Sequence, residues 1–143
     1  MMKLRLAPEY YWLLIFGLSF IAYQQVQDTI RPYYHGDNAI IKYLLGVAPN
    51  FFPGIGIPAL FVVLIPQLRP KGNSSNQWLM ERRYITANIV SVTGLLLWEF
   101  TQPLTSRGRF DWNDVIFTII GALVFQLIWS LSPSRYKQVA DLR

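Results

Sequence analysis

Cysteine is absent from this 143-residue chain. That excludes disulfides, thiolate chemistry and any cysteine-based metal site. Histidine occurs once, as His35. A single histidine among dispersed carboxylates fits no metal-ligand spacing, so no metal centre is expected. No Ser-His-Asp arrangement, P-loop or glycine-rich dinucleotide turn is present, and no cofactor is implied. Charge is also scarce, at 15% of residues, where soluble domains carry about a quarter. The net charge of +5 comes from basic residues scattered among loops and tails. With no nucleic-acid motif beside it, that excess reads as a topology signal, and nucleic acid is not an expected partner.

Apolar residues fill the space that charge leaves, at 52% of the chain. Uncharged runs extend over residues 10–27, 43–68, 84–98 and 115–134. A helix needs roughly 20 mainly apolar residues to cross the hydrocarbon core of a bilayer. The pattern predicts an all-α fold, an integral membrane four-helix bundle. It forms one domain over residues 1–143, with spans at about 9–28, 48–68, 83–102 and 112–132. A soluble helical bundle with an unusually apolar core is the alternative. Tyr10, Tyr11, Trp12 and Tyr23 stand where interfacial aromatics stand. Lys3 and Arg5 ahead of the first run resemble a signal peptide. A cleavage site wants small residues at two positions, however, and Phe20 before Ala22 is too large. The first run is therefore read as an uncleaved span.

Lysine and arginine are unevenly divided between the two ends of these runs. The N-terminal tail, the second loop and the C-terminal tail hold nine (Lys3, Arg5, Arg69, Lys71, Arg82, Arg83, Arg135, Lys137 and Arg143). The first and third loops hold four, Arg31, Lys42, Arg107 and Arg109. The positive-inside rule then puts both termini in the cytoplasm and the first and third loops outside. Arg31-Pro32 is expected to stop the first helix. Residues 37–46 form an amphipathic stretch, either a short interfacial helix or the start of the second span. The second span carries Pro53, Gly54, Gly56 and Pro58, which predicts a kinked helix that another helix approaches closely. On a helical projection Asn88, Ser91, Glu99 and Gln102 share one face of the third span. Asp114, Thr118, Gly121 and Phe125 share a face of the fourth.

The third and fourth spans meet in a polar junction, and polar groups at that depth usually have a role or a partner. Its candidate ligand-binding residues are Glu99, Gln102, Arg107, Arg109, Asp111 and Asp114. Glu99 and Gln102, three apart, are neighbours on a helix. Arginine offers a planar donor fork suited to phosphate or carboxylate. A carboxyl group held out of water, such as Glu99, can also serve as an acid or base. Purely structural roles compete with these. Asp111 with Asp114 resembles a capping-box start, and both favour the positive end of a helix. The arginines can simply pair with the carboxylates. His35 with Asp37 could join the site from the first loop.

Glu99-x-x-Gln102, a short loop, Arg107-x-Arg109-Phe110-Asp111-x-x-Asp114 and then Thr118-x-x-Gly121 resembles the second half of VanZ-like membrane proteins. The likeness covers residues 95–125. It implies a bacterial cell-envelope protein of the cytoplasmic membrane, in a family some of whose members are linked to reduced susceptibility to glycopeptide antibiotics such as teicoplanin. Members of the family often place an Asp and a His at the start of the second span. Here that stretch reads Ala48-Pro49-Asn50-Phe51-Phe52-Pro53, with neither. The leading expectation is recognition of a polar or anionic envelope component at the outer leaflet. That component is a polyprenyl-linked precursor, a phospholipid head group or a glycopeptide. Membrane lipids are expected partners, and a homo- or hetero-oligomer is the expectation for transport. A lipid-phosphate enzyme and a subunit of a membrane complex are the rivals.

Overall fold

The computed structural model describes residues 7–68, 80–105 and 109–138. The fold is all-helical, and no strand occurs among the described residues. Four principal helices form it: α1 (Pro8–Gln24), α2 (Ala39–Gln67), α3 (Arg83–Thr101) and α4 (Trp112–Leu131).

Pro8 opens α1 in the first turn, where its missing N–H goes unused. The helix does not stop at Arg31-Pro32. It loosens into a π-helix over Gln25–Ile30 and runs on through one turn, Arg31–Tyr33. Pro32 falls in the first turn of that last piece, where no intrahelical donor is required of it. Asn38 then caps α2 by accepting from the backbone N–H groups of Ile40 (3.0 Å) and Ile41 (3.2 Å).

Residues 39–46 and the second apolar run are one continuous helix of 29 residues. The second helix thus begins well before residue 48, and at 1.5 Å per residue it is about 43 Å long. Pro49, Pro53, Pro58 and Pro66 all lie inside it. α2 is the hub of the bundle, packing against α1, α3 and α4. Two glycine contacts set its distances. A Cβ on Gly54 would stand 2.7 Å from the backbone O of Thr118, and one on Gly121 would collide with the backbone O of Phe51. On the α1 side, a Cβ on Gly56 would stand 2.9 Å from the Cβ of Ser19.

The buried core gathers Trp12, Ala59, Val62, Val63, Ala87, Phe125 and Trp129. Trp129 stacks on Trp12 and on Tyr84, with centroids 4.9 Å apart in each case. Beside it, the one-turn helix Ser134–Lys137 is tied down. Trp12 Nε1 donates to the carbonyl of Tyr136 (2.7 Å), and Tyr11 stacks on Tyr136. Arg83, only 3% exposed, donates through Nη2 to the carbonyls of Lys137 (3.1 Å) and Gln138 (3.0 Å).

Among the described residues two helices, Ala39–Gln67 and Trp112–Leu131, are long and apolar enough to cross a membrane. The other two fall outside that description for separate reasons. α1 spans 17 residues before its geometry changes, and α3 carries the Asn88, Ser91 and Glu99 stripe.

Candidate functional site

The end of the bundle away from the tryptophan core opens as a cleft of about 580 Å³, within the usual range for a ligand pocket of ~300–1,000 Å³. All four helices contribute to it. Leu95 and Trp98 of α3 and Gln102 just beyond it form one wall, and Asp111, Asn113 and Asp114 at the start of α4 form another. Tyr43, Asn50 and Pro53 come from α2, and Tyr23, Gln27 and Arg31 come from the end of α1 and its π-helical extension.

Asp111 is the N-cap of α4. Its Oδ1 accepts from the backbone N–H of Asn113 (2.8 Å) and from that residue's side-chain amide (2.9 Å). Capping fixes where α4 begins and points Asp114 into the cleft, with the Asn50 side chain within hydrogen-bonding reach of it. Asn113 Oδ1 accepts from the hydroxyl of Tyr43 (3.3 Å), which links α4 to α2 across the opening.

Glu99 lies behind this wall, 2% exposed. Its Oε1 accepts from Gln102 Nε2 at 3.0 Å, while its Oε2 is buried with no partner among the described residues. Glu99 is close enough to Asp114 and Asp111 for their charges to interact. Thr118 Oγ1 and Asn88 Oδ1 are also buried without a partner among the described residues, so polar atoms recur along the α3–α4 seam. Asn88 does donate through Nδ2 to the carbonyl of Ala122 (3.2 Å).

Of the residues singled out from the sequence, Gln102, Asp111 and Asp114 line the cleft and Glu99 supports it from behind. Arg107 lies outside the described residues. Arg109 is exposed and does not line the cleft. Among the described residues the cation that faces it is Arg31, which donates to Gln27 Oε1 at 3.4 Å. His35 and Asp37 are exposed and outside the cleft, and Asp37 pairs with Lys42 at 3.5 Å. Asn50 and Tyr43 are the polar residues that α2 presents to the cleft. No three His, Cys, Asp or Glu side chains gather as a metal set among the described residues.

Sequence reasoning missed Gln27, Arg31, Tyr43 and Asn50. The run Gln24-Gln25-Val26-Gln27-Asp28 was a signal, since a polar end on an apolar helix needs a wet surface to face. The π-helix that turns Gln27 and Arg31 toward the cleft has no comparable signature, although such segments recur at functional sites.

No family model, no curated protein and no solved structure matches this chain.

Proposed function

We propose that the chain is a four-span protein of the bacterial cytoplasmic membrane that holds the polar head of an envelope lipid or lipid-linked precursor in this cleft. The observation that carries the reading is the convergence of Arg31, Asn50, Gln102, Asp111 and Asp114 from every helix on one open cavity. Arg31 supplies a fork for phosphate or carboxylate. The carboxylates and amides accept from and donate to hydroxyl or amine groups of the head.

The surface supports a lipid setting for all four helices. Leu13, Leu14, Leu18 and Ile21 of α1 are exposed, as are Ile89, Val90 and Leu97 of α3 and Ile116, Leu123 and Leu127 of α4. Soluble monomers rarely expose apolar surface so continuously. The polar stripe of α3 meanwhile faces inward, as polar groups of a membrane helix do. Arg83, Arg135 and Lys137 belong to the end opposite the cleft, which favours a cytoplasmic placement of that end and an outward-facing cleft. The VanZ-like resemblance is kept within this reading, because Glu99, Gln102, Asp111 and Asp114 are among the residues that carry it.

Mass spectrometry of lipids extracted from the purified protein tests the proposal. One head-group class should be enriched over the bulk membrane and lost from Arg31→Gln and Asp114→Asn proteins. An extract that mirrors the membrane in all three would overturn it. A lipid-phosphate enzyme using Glu99 as acid or base is the rival, favoured by Asp111 and Asp114 lying close enough to Glu99 for their charges to interact.

A further inference from the structure

Tyr23, Pro53 and Ile57 belong to two cavities at once. On one side they line the polar cleft. On the other they line an almost wholly apolar groove of about 290 Å³ between α1 and α2, completed by Phe16, Phe20 and Phe52. Ser19 and Gly56 lie along it where the two helices approach closely. The wall changes character across the shared residues. Gln27, Arg31 and Asn50 stand on the cleft side and phenylalanines on the other. The groove is displaced from the cleft toward the N-terminus of α1 and the C-terminus of α2, which is the direction of the bundle's middle. Phe20 is half-exposed, so the groove opens sideways onto the outer surface of the helices.

We propose that cleft and groove form one site for an amphiphile, the cleft taking the head and the groove the adjoining part of a hydrocarbon chain of the same membrane lipid. This rests on the head-group reading of the cleft and adds that the ligand is a lipid rather than a soluble glycopeptide. A lipid in a leaflet has this same order, a polar head at the rim and a chain toward the midplane. A soluble peptide or sugar offers nothing to cover the phenylalanine walls.

The chain gains little from apolar transfer, because bilayer tails are as apolar as the side chains it would touch. What the groove adds is position. A chain seated between Phe20 and Phe52 holds the head beside Arg31, which raises its effective concentration there.

The full-length protein in maltoside micelles tests this by native mass spectrometry with matched probes. One pair is monopalmitoyl lysophosphatidylethanolamine and glycerophosphoethanolamine, and the other is monopalmitoyl lysophosphatidylglycerol and glycerophosphoglycerol. In at least one pair the palmitoylated probe should be retained about tenfold or more over its chainless head. Ile57→Trp, which fills the neck, and Phe20→Gln, which makes the outer wall polar, should bring that ratio close to one, and Phe20→Gln, which lies outside the cleft, should leave the chainless head unaffected. Phe20 is half-exposed, so that variant keeps the test valid if Ile57→Trp does not fold. Equal retention of palmitoylated and chainless probes, or a ratio untouched by the groove variants, overturns the amphiphile site and leaves the cleft reading standing. Failure of every probe to bind the unaltered protein overturns the cleft reading itself.

Discussion

Glu99 is the residue on which binding and catalytic roles diverge most clearly. Its Oε1 holds the Gln102 amide at 3.0 Å, and the side chain lies behind the cleft wall. Glu99→Gln keeps an acceptor for Gln102 and nearly the same volume. As a positioning residue it should lower lipid retention by less than about tenfold, whereas loss of a general acid or base removes about 10²–10⁴ of a rate. Glu99→Leu leaves the Gln102 amide without its acceptor and should lower stability by about 1–3 kcal/mol, read from thermal unfolding in detergent. Gln102, Asp111 and Asp114 were legible from sequence because polar side chains at the ends of apolar runs are conspicuous. Arg31 and Asn50 were not, since their direction depends on backbone geometry that composition does not encode. Arg109 carried as strong a sequence signal as any, yet it is exposed outside the cleft.

Among the elements, α2 decides the architecture. From sequence, residues 37–46 read equally as a short interfacial helix or as the start of the second span, and Pro53 and Pro58 read as a kink. Packed against three neighbours, the helix runs through them. Pro53 withholds the donor that would otherwise meet the carbonyl of Pro49, and both residues line the cleft. The small residues of α2 were read correctly as a close approach, and the helix that meets them through Gly121 is α4 rather than α3. The contact of Gly54 with Gly121 places the α2–α4 crossing just below the site. Gly54→Ala forces a Cβ against the Thr118 carbonyl and should lower stability by about 1–3 kcal/mol, seen as a lower unfolding temperature. Gly94 meets nothing within 4 Å, so Gly94→Ala should instead be neutral or stabilise by about 0.5–1 kcal/mol. If the two substitutions shift the midpoint alike, the close crossing is wrong.

At the scale of the whole molecule, the two ends do different work. One end is closed by stacked aromatics and by Arg83 gripping the C-terminal turn. The other is open and polar. Arg83 was counted among the charges that orient the chain, and the structure gives it a second task. Arg83→Met should release the turn and cost about 2 kcal/mol of stability, the usual scale for hydrogen bonds to a charged donor. Because that end is remote from the cleft, lipid retention by the surviving folded protein should not change. A parallel loss of retention would mean that the two ends are coupled.

The orientation of those ends is the claim on which the functional reading depends, and a chain without cysteine is suited to testing it. Single cysteines are introduced by Thr105→Cys beside the cleft, Asn113→Cys within it and Gln138→Cys at the opposite end, and intact cells are treated with a membrane-impermeant maleimide. The account predicts labelling of the first two in intact cells and of the third only after lysis. Labelling of the third in intact cells, with the first two protected until lysis, would contradict it.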